Sequence, residues 1–135
     1  MPSPEPATDF EGLLRTLVEG AVDFIVVGGV AAKAQGSARY TVDLDVVYSR
    51  APANIVRLVG ALDPLQPYLR GAPPGLPFRF DAETVRRGLN FTLQTSRGDL
   101  DVLGEIAGGG TYEALRPHAI AELEAIWEER RKRGL

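Results

Sequence analysis

The sequence of this 135-residue chain predicts an α/β fold of the α+β kind, in which helices flank a small mixed β-sheet. Residues 24–27 form an apolar run that suits a strand buried on both faces. Residues 90–103 alternate polar and apolar side chains around a turn, as a β-hairpin does. Near the N-terminus, apolar residues recur at helical spacing: Phe10, Leu13, Leu14, Leu17 and Val18.

The predicted elements alternate between helices and strands along the chain. The helices are expected at about residues 9–19, 30–35, 52–62, 81–87 and 119–133, and the strands at 24–27, 43–48, 90–95 and 99–103. The first helix begins with a capping box, because Thr8 can cap it and Glu11 follows three residues later. Asp81 is the expected cap of the fourth helix. Five prolines between residues 63 and 80 predict a long loop, and loops of this length are often functional.

The composition predicts one domain over residues 8–135, preceded by a proline-rich, disordered stretch at residues 1–7. The net charge of −3 gives no whole-chain attraction to nucleic acid or to an anionic membrane. Cysteine is absent, which excludes disulfides, thiolate nucleophiles and cysteine-bound zinc. No apolar run approaches the roughly 18 residues of a membrane span, and the N-terminus does not resemble a signal peptide. We therefore expect a cytoplasmic protein.

A glycine pair, Gly28 and Gly29, follows the first strand and precedes a short helix of small residues. Without a Cβ, the backbone can approach a ligand closely, and a helix N-terminus offers free N–H groups to an anion. Lys33, Arg39 and Thr41 follow within the same stretch and can contact phosphate, although a surface role is an equally good interpretation. The pattern therefore favours an anion-binding turn.

Two carboxylates, Asp43 and Asp45, lie two residues apart on the second predicted strand. Because side chains alternate along a strand, the two carboxylates share one face, about 6–7 Å apart. Their mutual repulsion and desolvation are relieved when a cation lies between them. Oxygen ligands without a nearby His or Cys favour Mg²⁺ or Mn²⁺ over zinc.

A third carboxylate, Asp101, lies in the predicted hairpin, on a strand with the same acidic and apolar alternation. If Arg97 and Gly98 form a two-residue turn, Gln94 lies opposite Asp101. A neighbouring strand would then bring Asp101 beside the other two carboxylates, and three carboxylates can hold two metal ions roughly 3.5–4 Å apart. The alternative is that Asp99 and Asp101 lie on an exposed hairpin and need no metal.

The order of these residues resembles the nucleotidyltransferase superfamily, and most closely its small bacterial minimal and abortive-infection toxin–antitoxin members. The resemblance rests on Gly28-Gly29, thirteen further residues, Asp43-x-Asp45 and the distant Asp101. It implies transfer of a nucleoside monophosphate from a nucleoside triphosphate to an acceptor hydroxyl, with release of pyrophosphate. Asp43, Asp45 and Asp101 would be the catalytic metal ligands, and the glycine pair would contact the triphosphate.

The resemblance leaves the acceptor open, since a protein side chain, an RNA or a small molecule each offers a hydroxyl. An alternative function is a non-catalytic binding module with the same fold, such as the partner of another protein in a toxin–antitoxin pair. Gly29 stands where many superfamily members have serine, which favours this alternative. A dinucleotide-binding domain is a weaker alternative, because a third glycine is missing from the turn.

Overall fold

The computed structural model describes residues 8–27, 43–108 and 110–118, and within these ranges the fold is built on a five-stranded mixed sheet. The strands are β1 (Phe24–Val27), β2 (Asp43–Tyr48), β3 (Tyr68–Leu69), β4 (Asn90–Thr95) and β5 (Gly98–Leu103). Their order across the sheet is β1-β2-β5-β4-β3. Strands β2 and β5 run parallel, whereas the other neighbouring pairs of this sheet are antiparallel. The α+β fold class predicted from the sequence is confirmed.

Three helices, a helical segment at residues 112–118 and a short second sheet complete the described elements. The helices are α1 (Phe10–Glu19), α2 (Pro52–Leu62) and α3 (Ala82–Arg87), and a single 3₁₀ turn, Asp63–Leu65, follows α2. Strands β6 (Glu105–Ile106) and β7 (Gly110–Thr111) pair with each other. In the described part of the chain no helix is long and apolar enough to cross a membrane. The helices predicted at 30–35 and 119–133, and the stretch at 1–7, lie outside the described residues.

The hydrophobic core lies on one face of the central strand pair, where α1 and α2 cover it. Its fully buried members alternate along the strands and recur at helical spacing: Leu44, Val46, Leu100 and Val102 from the sheet, and Leu13, Leu17, Leu58 and Leu62 from the helices. The other face of the same strands carries the aspartates. One face of the pair is therefore fixed by packing in the core, and the other carries the aspartates beside the buried Val47.

The start of α1 differs from the prediction. Asp9, and not Thr8, is the N-cap, because its Oδ1 accepts a hydrogen bond from the backbone N–H of Gly12 at 2.9 Å. Arg97 donates to the other carboxylate oxygen of Asp9 at 2.8 Å and holds the cap in place. Thr8 instead accepts a hydrogen bond from the backbone of Asp99. The capping box was therefore wrong by one residue, although the helix itself was predicted correctly.

The hairpin of β4 and β5 has a different register from the predicted one. Its two-residue turn is Ser96-Arg97, so that Thr92 pairs with Asp101 and Gln94 with Asp99. Gly98, the first residue of β5, pairs with Thr95 and has φ +113°; it packs on Thr8, where a Cβ would lie 2.6 Å from the Thr8 Cα. The shift is two residues, and a shift of two leaves every side chain on its predicted face.

Residues 63–80, predicted to be loop, contain the 3₁₀ turn and the two-residue strand β3, which pairs with β4. The prolines flank Tyr68–Leu69 and leave the backbone N–H groups of these residues free to join the sheet. The Arg70 N–H extends the pairing by donating to the Thr92 carbonyl at 3.0 Å. The last predicted cap is confirmed, because Asp81 caps α3 through the Thr84 N–H at 2.8 Å.

We expect Asn54→Ala to lower the free energy of unfolding by about 1–3 kcal/mol, because it leaves buried polar groups without partners. The Asn54 side chain is fully buried and accepts from the Asp23 N–H at 2.7 Å. It also donates to the carbonyls of Asp23 and Ser49. Urea denaturation measures the change. Val56→Ala, at an exposed position of the same helix, is the matched control and should change stability by less than about 0.5 kcal/mol. An equal effect of the two substitutions would contradict this role of Asn54.

Candidate metal site on the β2–β5 strand pair

Four aspartates lie side by side on one face of the two central strands. The parallel register pairs Asp43 with Asp99 and Asp45 with Asp101. Neighbouring strands are about 4.8 Å apart, and alternate residues of a strand share a face. The four carboxylates therefore form a compact group opposite the buried leucines and valines. Asp99 did not stand out in the sequence, because an acid beside a hairpin turn is usually exposed.

Three of these carboxylates converge on one point. Asp43, Asp45 and Asp101 each offer one oxygen atom, and these oxygens all lie within 4.8 Å of one another. The structure thus brings Asp101 to the pair on β2, as the sequence predicted, although through a parallel strand contact. A group of hard oxygen ligands at this spacing suits a small divalent cation such as Mg²⁺ or Mn²⁺.

Arg70 is the residue of the site that the sequence analysis missed. Its guanidinium donates to Oδ1 of Asp101 at 2.6 Å. The same group lies 3.4 Å from the Asp99 carboxylate and 4.0 Å from the Asp43 carboxylate. Arg70 follows β3 within the proline-rich stretch, so this loop supplies a cation to the acidic face. The only sequence signal was the short Tyr68-Leu69-Arg70 run between prolines.

Asp45 is the carboxylate whose charge is least compensated. Its Oδ1 is buried and has no hydrogen-bond partner among the described residues. Burial raises the pKa of Asp45 to about 7, and the neighbouring carboxyls of Asp101 and Asp43 contribute to the rise. Burial also raises the pKa of Asp101, although the hydrogen bond from Arg70 opposes this shift. An orphaned carboxylate oxygen beside two further carboxylates fits a bound divalent cation.

The polar residues of β4 are neighbours of the aspartates to different degrees. Thr92 pairs with Asp101 and Gln94 with Asp99, so both lie next to the acidic face. Asn90 is occupied elsewhere, since its Oδ1 accepts from the backbone N–H of Gly104 at 2.9 Å. Of these three side chains, Thr92 is therefore the one best placed beside the converging oxygens.

The predicted anion-binding residues, Gly28, Gly29, Lys33, Arg39 and Thr41, lie outside the described residues. Their assignment stays a prediction. The described part of β1 ends at Val27, whose register partner is Asp45. In sequence, Gly28 follows Val27 directly.

Comparisons of the chain with protein-family models, with curated proteins and with solved structures gave no match. The candidate site is therefore argued from the side chains themselves. A group of carboxylates that converges on a shared point, on one face of two neighbouring strands, is suited to binding a divalent metal ion.

The raised pKa of Asp45 predicts a pH dependence of stability with a defined sign. Its pKa is about 7 in the fold against an ordinary value of 3.8, so the folded state binds this proton more tightly than the unfolded chain does. This contribution to the free energy of unfolding of the metal-free protein therefore falls as the pH rises from 3.8 to about 7, and then stays constant. Asp45→Asn removes this contribution. The free energy of unfolding of the variant minus that of the wild type should therefore be larger at pH 8 than at pH 5.

Urea denaturation in the presence of a chelator, at both pH values, measures this difference. Asp63→Asn removes a carboxylate from an exposed position and serves as the control for the lost charge. If the difference in free energy of unfolding between Asp45→Asn and the wild type is the same at pH 5 and pH 8, the pKa of Asp45 is not raised.

Proposed function

We propose that the chain is a metal-dependent nucleotidyltransferase that moves a nucleoside monophosphate from a nucleoside triphosphate to an acceptor hydroxyl and releases pyrophosphate. The observation that carries this proposal is the convergence of the Asp43, Asp45 and Asp101 oxygens within 4.8 Å of one another. Its second support is the resemblance of the Gly28-Gly29 and Asp43-x-Asp45 arrangement to that superfamily. The reaction class fits such a site, because phosphoryl transfer needs mainly positioning and neutralisation of charge.

Mg²⁺ or Mn²⁺, held by the three aspartates, would neutralise the triphosphate and favour the ionised form of the acceptor hydroxyl. Asp43 and Asp45 would hold the metal from β2, whose packed face fixes their positions. Asp101 would hold it from β5, and the resemblance implies that it would help to activate the acceptor hydroxyl. Gly28 and Gly29 allow the backbone to approach the triphosphate. Lys33, Arg39 and Thr41 are the candidates for further phosphate contacts.

The acceptor hydroxyl belongs to a protein, an RNA or a small molecule, and the proposed setting is the cytoplasm. The second candidate function is a non-catalytic binding module of the same fold, for example one half of a toxin–antitoxin pair. One observation favours it, because Arg70 already gives the acidic group a positive charge without a metal. The two candidates differ in one measurable respect, the release of pyrophosphate.

We expect Asp43→Asn and Asp45→Asn to weaken Mg²⁺-dependent binding of a nucleoside triphosphate by more than about 100-fold, because each removes a charged metal ligand. The fold should survive, since neither side chain belongs to the apolar core. Isothermal titration calorimetry with each nucleoside triphosphate, with and without Mg²⁺, measures the affinity. Circular dichroism of the same samples checks the fold.

Asp63→Asn, which removes an acid from an exposed position, is the matched control and should bind as the wild type does. Wild-type affinity in both site variants would refute the proposal. Binding by the wild type without pyrophosphate release, over a panel of protein and RNA acceptors, would favour the binding module over the enzyme.

A further inference from the structure

Strand β1 lies at an edge of the five-stranded sheet, although it has the composition of an interior strand. Its only neighbour among the described strands is β2. The four side chains of Phe24–Val27 are all apolar, and all four are only half-buried. Apolar runs of this kind are typical of strands that are buried within a sheet. In the part of the chain that the structure describes, β1 therefore lacks the surroundings that its composition predicts.

The opposite edge of the sheet is protected against further pairing, whereas β1 is not. Natural edge strands avoid pairing with other chains when they are very short or carry prolines and charged side chains. The other edge strand, β3, has only the two residues Tyr68–Leu69, and Pro67 and Arg70 flank it directly. β1 has four residues, and none of them is a proline or carries a charge. It is therefore the edge to which a further strand can add.

The outer side of β1 presents the main-chain groups of Phe24 and Val26. In an antiparallel pair, residues that exchange hydrogen bonds with the partner strand alternate with residues whose N–H and C=O point away from it. Ser49 donates to the Asp23 carbonyl at 3.1 Å, and the register that continues from this bond turns the main-chain groups of Ile25 toward β2. Those of Phe24 and Val26 therefore point outward, and no hydrogen bond joins them to another described residue.

We propose that a second copy of this chain pairs with the outer side of β1, antiparallel and about a two-fold axis at Ile25. Phe24 then lies opposite Val26 of the partner subunit, and the same pair recurs on the other side of the axis. Each outward N–H finds a carbonyl of the other copy. Such a contact uses the same patch on both subunits, so it closes at two copies and joins their sheets into one.

The edge complements itself, which favours a second copy over an unrelated peptide. Phe24 opposite Val26 is a cross-strand pair of an aromatic and a β-branched side chain, and such pairs stabilise antiparallel sheets. Ile25 lies opposite its own equivalent, and no charges of the two strands repel each other. A register centred on Phe24 would instead place Val22 opposite Val26. It is less favourable, because the N–H of Val22 already donates to the Leu17 carbonyl at 3.1 Å.

The test is the mass of the full chain in solution, measured by sedimentation velocity over a concentration series without metal or nucleotide. We expect the wild type to pass from one copy toward two as its concentration rises. Ile25→Lys should weaken the dimer by more than about tenfold, because it replaces an apolar contact at the axis with two like charges. Val56→Lys, at an exposed apolar position of α2, is the matched control and should dimerise as the wild type does.

A disulfide locates the pairing. The chain has no cysteine, so Ile25→Cys introduces a single thiol at the axis. Opposite residues that do not exchange hydrogen bonds have Cα atoms about 4.5 Å apart, which is within the range that a disulfide bridges. Oxidation with diamide should therefore link two copies of Ile25→Cys, whereas Val56→Cys should stay unlinked.

A wild type that stays monomeric over the whole series would overturn the proposal, whether a strand of another protein or another segment of this chain then covers the edge. Dimers that resist Ile25→Lys and form no disulfide in Ile25→Cys would also overturn it, because they use a different surface. If Ile25→Lys does not fold, the wild-type mass and the disulfide decide. The dimer needs neither metal nor nucleotide, so its absence would leave the proposed function standing.

Discussion

The in-register parallel pairing of β2 and β5 is the constraint on which the site depends. It sets Asp43 beside Asp99 and Asp45 beside Asp101, and it sets Leu44 beside Leu100 on the opposite face. The leucines are fully buried under the helices, and a slip by one residue would bury aspartates in their place. The packing of the core therefore holds together four carboxylates that would otherwise repel one another.

Repulsion among the four carboxylates destabilises the sheet, and the described residues compensate their charges unevenly. Arg70 compensates the aspartates of β5 and reaches toward Asp43. Asp45 keeps a buried oxygen without a hydrogen-bond partner in the part of the chain that the structure describes, and its pKa is raised to about 7. Groups that remain strained within a well-packed surrounding are characteristic of functional sites, because packing elsewhere maintains them. The imbalance thus marks Asp45 as the position where an external cation is most stabilising.

The sequence predicted which strand face carries the site residues better than it predicted the register in which the strands pair. Alternation along β2 and β5 was sufficient to place Asp43, Asp45 and Asp101 on one polar face, because strand periodicity is a local property. The register of the hairpin was not predicted, because alternation along each strand leaves the pairing open by two residues; Gly98 also packs against Thr8, about 90 residues away in sequence, a contact that no local pattern indicates. Arg70 was missed for a similar reason. A two-residue strand such as β3 is specified by its partner β4 and not by its own propensity.

The proline-rich stretch at residues 63–80 orders the loop that carries Arg70. The Tyr68 hydroxyl donates to the Pro73 carbonyl and accepts from the Leu76 N–H, and the ring packs edge-on against Phe78. Prolines also restrict the unfolded chain, so that less conformational entropy is lost when the loop is ordered. A well-ordered loop can hold a guanidinium beside carboxylates that are fixed by the core. A flexible loop would have to lose that entropy each time the pairing formed. The loop is therefore part of the site, because it delivers a cation, Arg70, that the two central strands do not provide.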